Sequence, residues 1–125
     1  MHVMPAESTL NLPLPPSVNR LISKRGNASP VVEDWIRHAD AHLMLTGQPI
    51  FPVHGEFEID IVWDVRRRRR RADIDNRIKP LLDYLQRISV IDNDRDCVGL
   101  RVRWGQAPAG CYVRLRATGS ESHGL

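Results

Sequence analysis

Cysteine is scarce in this 125-residue chain, and long apolar runs are missing altogether. The two cysteines, Cys97 and Cys111, are too few for a disulfide framework, and their spacing fits no zinc signature, which points to a reducing compartment. No stretch approaches the roughly 18 apolar residues of a membrane span. The opening MHVMPAESTLNLPLPPS also lacks a basic segment followed by an apolar one, the mark of a secretory signal. A cytoplasmic protein without membrane contact is therefore expected. Aromatics are few as well: three Trp, two Tyr and two Phe suffice for one core and not for two. A single domain over residues 1–125 is expected, with residues 1–8 and 119–125 as frayed ends. So small a core favours self-association. Hydrophobic residues make up 42% of the chain, which excludes global disorder.

The patterning predicts alternating strands and helices. Thr9 to Leu14 is partly alternating and reads as a first strand, closed by Pro15 and Pro16. A polar, basic loop follows, carrying Asn19, Arg20, Lys24 and Arg25. Ser29 and Pro30 form a helix start, with Val32, Trp35 or Ile36, Ala39 and Leu43 at helical spacing before Gly47 and Pro49. Gly55 to Val65 alternates acidic and apolar residues, the clearest strand signal in the chain. Ile78, Leu81, Leu82, Leu85 and Ile88 make an apolar stripe, predicting a second helix from about Asp75 to Ile88. Pro80 sits awkwardly there, so that helix either bends or starts later. Val98 to Trp104 and Tyr112 to Ala117 alternate around the turn-rich GQAPAG and read as a terminal hairpin. The expected fold is α/β (α+β): a mixed sheet of about four strands with two main helices, in the order β-α-β-α-β-β.

Net charge is only +3, but the positive charge is unevenly placed. Arg66, Arg67, Arg68, Arg69, Arg70 and Arg71 run directly into Asp73 and Asp75. Asp75, Lys79 and Asp83 are four apart in turn, on one face of the expected helix. Asp92, Asp94 and Asp96 follow it. Read singly, Asp73 and Asp75 are helix caps, Asp75–Lys79–Asp83 a surface ladder, and Asp92–Asp96 a polar turn. Read together, they suit phosphodiester hydrolysis. Hard carboxylate oxygens bind Mg²⁺, which supplies the positive charge that the attacking water and the leaving oxygen need. Lys79 adds a charge beside them. Arginines beside a metal site deliver a polyanion to it, because guanidinium pairs bidentately with phosphate.

Two other metal readings fail. Asp92, Asp94 and Asp96 imitate the start of a calcium-binding loop, but the sixth position is Cys97 rather than Gly and the twelfth is Arg103 rather than Glu. His38 and His42 are four apart, but Ala39 stands where a zinc protease has glutamate. Trp35, Trp63 and Trp104 are assigned to the core or to a dimer interface.

The segment Arg68-Arg69-Arg70-Arg71-Ala72-Asp73-Ile74-Asp75-Asn76, with Lys79, Asp83 and Asp94 downstream, resembles the signature of RusA-type Holliday junction resolvases. Leu14-Pro15-Pro16-Ser17-Val18-Asn19-Arg20 is similar to that family's opening block, and the element order fits from Leu10 to Thr118. The resemblance implies a homodimer that binds branched, four-way DNA and makes paired symmetric nicks with Mg²⁺, Mn²⁺ substituting, in recombination and repair. It places the metal-binding carboxylates on Asp73, Asp75 and Asp94, and the essential lysine on Lys79. The family's adjacent acidic pair reads Asn93-Asp94 here, preceded by an extra Asp92. Asp94 is preferred over Asp92 because that register also matches Arg101 and Val102. Arg66 to Arg71, with Asn19, Arg20, Lys24 and Arg25, are the expected DNA-binding residues. Two alternatives stand beside this reading: a non-catalytic nucleic-acid-binding protein, and a metal nuclease acting on flaps or single strands.

Overall fold

The computed structural model describes residues 6–17, 30–69 and 73–119. The elements follow the expected order. They are β1 (Glu7–Leu12), α1 (Pro30–Thr46), β2 (Phe57–Asp64), α2 (Ile78–Arg87), β3 (Cys97–Gly105) and β4 (Cys111–Ala117), with short 3-10 turns at Val65–Arg67 and Asp94–Asp96. The four strands make one mixed sheet in the order β1-β4-β2-β3.

Alternation decides which face is covered. Leu10, Val113, Ile61 and Val102 stand in one row across the sheet and point into the core, and Leu12, Cys111 and Trp63 form the next row. Trp35 and Ala39 from α1 and Leu81, Leu82, Tyr84 and Leu85 from α2 close over them. The two helices meet at an edge-to-face contact of Trp35 with Tyr84, ring centroids 5.0 Å apart. The Tyr84 hydroxyl donates to Asp40 at 2.6 Å, and the Trp35 indole donates to the Pro13 carbonyl at 3.1 Å. The opposite face carries the charged half of each strand. There Arg114 pairs with Glu7 at 2.9 Å, and Arg116 pairs with Glu58.

The expected terminal hairpin does not form. β3 pairs in parallel with β2, and β4 pairs antiparallel with the other side of β2 and with β1. A parallel pair needs a crossover, and α2 supplies it, leaving the opposite edge of β2 open for β4. Alternation marks a strand but cannot choose its neighbour. β1 also begins earlier than expected, so Glu7 and Ser8, assigned to a frayed end, pair with Arg116 and Leu115. β1 ends at Leu12 rather than Leu14.

α2 starts at Ile78 rather than Asp75, and this resolves the difficulty with Pro80. Pro80 is the third helical residue, where the backbone N–H has no intrahelical acceptor in any case. Asp73 and Asp75 therefore lie ahead of the helix, and neither caps it. The capping residue is Arg77, which makes no side-chain cap bond. Trp35 and Trp63 are core residues as expected, and Trp104 packs against the core.

Gly110 closes the turn between β3 and β4 at φ +132°, a conformation that L side chains rarely adopt, and a Cβ there would collide with the Leu14 amide nitrogen. Gly110→Ala should cost at least the roughly 1–3 kcal/mol of a strained backbone. It should show as a clear fall in Tm, whereas an unshifted melt would mean the turn accepts a side chain.

Candidate active site

The buried end of β2 organises the acidic segment. Trp63 is fully buried, and its indole N–H needs an acceptor. It donates to the Ile74 carbonyl at 2.7 Å. That bond pins the residue between Asp73 and Asp75 to the sheet while both carboxylates stay exposed. Asn76 donates its side-chain amide to Asp73 at 2.8 Å, and Ile78 donates its N–H to the Asp75 carbonyl at 3.2 Å, which turns the chain into α2.

From the second residue of α2, the Lys79 ammonium reaches two carboxylates, Asp94 at 2.9 Å and Asp83 at 3.0 Å. The expected Lys79–Asp83 pair thus forms, whereas Asp75 lies outside the helix. The Lys79–Asp94 contact spans 15 residues and joins α2 to the turn before β3. Gln86 strengthens that joint, its side-chain oxygen accepting from the Asp94 N–H at 3.1 Å. The Lys79 bond holds the Asp94 carboxyl below the usual range, and the same bond, followed by that of Asp83, raises Lys79. Both are charged at neutral pH.

Asp92 is engaged elsewhere. It contacts the His54 imidazole at 2.9 Å and accepts the Gly55 N–H at 3.0 Å, beside the Val53–Ile91 bridge. The His54 bond, ahead of the others, lowers the Asp92 carboxyl. Asp92 and Asp94 therefore face different partners two residues apart.

The arginine run divides. Arg66 folds back onto Asp64, which is 1% exposed, through contacts of 2.8–3.2 Å from its guanidinium and backbone N–H. It also donates to the Pro108 carbonyl at 3.3 Å. Arg67 lies 4.0 Å from the same carboxylate. Arg68 and Arg69 are exposed. Arg70, Arg71, Asn19, Arg20, Lys24 and Arg25 lie outside the described residues.

The donor chemistry of Asp73, Asp75 and Asp94 suits a hard divalent cation, since all three offer solvent-reachable carboxylate oxygens. Among the described residues, no three His, Cys, Asp or Glu side chains already converge on one point. The structure brings Lys79, Asp83 and Asp94 together, and it holds Asp73 and Asp75 at the neighbouring end of α2.

Sequence reasoning missed three residues. In the sequence Asp64 stands in phase with the outward-facing Glu58 and Asp60 of β2, and only its place two residues before Arg66 hints at a clamp. Nothing local sets Arg77 apart from the chain's other cations, yet its guanidinium is half-buried, and burial followed by the nearby Arg69 lowers its pKa. His54 carried no local signal, because its partner is 38 residues away.

The family profile of endodeoxyribonuclease RusA matches residues 13–116 of the 125-residue chain. Comparison with curated proteins gave no match.

The Arg66 bonds hold the Asp64 carboxyl below its ordinary 3.8, so its contribution to stability is full above that value and fades as pH falls through the lowered one. Asp64→Asn should melt below wild type at pH 7, and the gap should close in melts taken progressively below pH 4. A gap constant with pH would remove the charge from the clamp.

Proposed function

Because the chain belongs to the RusA endodeoxyribonuclease family, we propose that it resolves four-way DNA junctions by Mg²⁺-dependent phosphodiester hydrolysis, as a homodimer making paired symmetric nicks in recombination and repair. The observation that carries this reading is the Lys79–Asp94 contact. It ties the turn that carries Asp94 to the helix that begins just after Asp73 and Asp75, although the two acidic segments are far apart in sequence. A surface ladder needs only Asp83; the reach to Asp94 needs the fold.

In this reading Asp73, Asp75 and Asp94 hold the metal, which when bound supplies the positive charge for water activation and for the leaving oxygen. Mn²⁺ would substitute, having the same preference for oxygen donors. Lys79 stands between Asp94 and Asp83 and keeps a positive charge where negative charge develops on the phosphoryl group. Arg67 to Arg71, with Asn19, Arg20, Lys24 and Arg25, hold the DNA backbone. Arg66, saturated by Asp64, acts by fixing the base of that loop. Exposed apolar side chains on α1 and β3 (Met44, Leu45, Val98 and Leu100) offer surface for self-association. A two-fold dimer would present equivalent sites to the two strands of a two-fold junction. No described helix is long and apolar enough to cross a membrane, and the place of action would be the cytoplasm, on DNA.

The test is nicking of a labelled four-way junction, with flap and linear duplex controls and EDTA to strip the metal. Asp73→Asn and Asp75→Asn should abolish cleavage and leave junction binding intact or stronger, because a negative charge facing phosphate is lost. Lys79→Ala should lose no more than the roughly 0–1 kcal/mol of stability of an exposed ion pair, leaving its Tm barely shifted, yet lose nearly all turnover. Robust nicking by these variants, or by wild type in EDTA, would overturn the assignment.

Asp94→Asn should weaken Mn²⁺ binding in calorimetry more than Asp92→Asn, whose carboxylate serves His54 and Gly55. The reverse order would move the metal site to Asp92.

A further inference from the structure

Arg77 is the one half-buried guanidinium that the described residues leave without a counter-ion. Among the described residues no carboxylate pairs with it, and its buried Nε–H has no hydrogen-bond partner. The other arginines drawn against the protein surface are matched: Arg66 by Asp64, Arg114 by Glu7 and Arg116 by Glu58. The stretches of chain that continue from Pro15 and Arg69 bring no acid either, since neither residues 13–29 nor residues 65–72 contain an Asp or Glu. The cation close by is Arg69. One terminal nitrogen donates to the Pro15 carbonyl, 62 residues away, and this fixes the plane of the guanidinium. A desolvated charge with an orphaned donor is costly. The missing partner must be an anion with several acceptor oxygens.

We propose that Arg77 is a phosphate-binding residue, its guanidinium taking a backbone phosphodiester of the DNA directly beside the acidic segment. The proposal rests on the nuclease reading above and adds to it a residue outside the arginine run. Arg77 follows Asp75 and Asn76 and precedes Lys79, so a phosphate seated there is delivered to the end of α2 where Asp73, Asp75 and Lys79 stand. The Pro15 contact makes the site rigid, unlike an exposed arginine on a loop.

The experiment measures junction affinity by fluorescence anisotropy in EDTA over a series of salt concentrations, together with the Tm of free protein. Arg77→Gln should bind at least tenfold more weakly at low salt, with the slope of log K against log salt reduced by about 0.9 for the lost contact. Its free-protein Tm should equal or exceed that of wild type, because an uncompensated charge is removed. A lower Tm with an unchanged salt slope would make Arg77 a strut for the Pro15 segment and overturn the proposal. The ¹⁵Nε signal of Arg77 in wild type gives a second readout that does not depend on a variant folding. It should shift on saturation with the junction, and an unmoved signal would also overturn the proposal. Should wild type itself fail to bind junction DNA, the nuclease reading falls first; binding by wild type with no change in Arg77→Gln sinks this inference alone.

Discussion

The hydrogen bond from the Trp63 indole to the Ile74 carbonyl sets the position of nearly everything that carries chemistry. Trp63 cannot leave the core, because its ring sits in the central strand beneath the helices, and its N–H cannot go unpaired there without a cost of about 1–3 kcal/mol. The segment after the arginine run is therefore drawn to the end of β2. Its alternation then turns the Asp73 and Asp75 carboxylates outward while Ile74 packs against the core. α2 starts where that segment ends. Its apolar stripe fixes the helix on the sheet and so fixes the exposed face that presents Lys79 and Asp83. A hydrophobic constraint thus does the placing, and the charged groups are carried by it.

At the same strand end, buried Asp64 takes one arginine out of the basic run and makes it part of the fold. A run of like charges tends to stay extended and solvated through self-repulsion. Anchoring its first member to a buried carboxylate gives the run a defined origin beside the acidic segment. The residues closest to the core are thereby neutralised, and the outward ones keep their charge for a polyanion. Arg77 obeys the opposite rule, retaining its charge in a half-buried place with no acid beside it.

Local patterns made much of this legible. The period-two alternation of Phe57 to Ile61 and the stripe from Ile78 to Leu85 identify β2 and α2 because each buries one face, and burial follows sequence period. The acidic segments and the arginine run were visible as composition. Partnerships were not. Nothing in Val98–Trp104 says that it pairs with β2 rather than with β4, since all three strands alternate alike and the choice is made by the crossover. Likewise Asp92 and Asp94 look equivalent on paper, and only the positions of His54 and Lys79 distinguish them. Asp64 was hidden for the same reason: its burial comes from the turn at residues 107–110 folding over the strand end, a contact between distant parts of the chain.

The pairing of β1 with β4 also constrains how the chain is made. Glu7 sits opposite Arg116, so β1 leaves the ribosome long before β4, its neighbour in the described sheet, is made. Until then Leu10 and Leu12, destined for the core, have no β-sheet partner to shield them. Sheets closed by such distant pairings fold slowly, and their unpaired edges invite association with other chains during the wait. The polar side chains that β1 presents on its outward face, Glu7, Thr9 and Asn11, keep that early strand from being apolar on both sides. Synthesis and folding are thus coupled through the pairing of β1 with β4, and no chain lacking β4 would have a complete sheet.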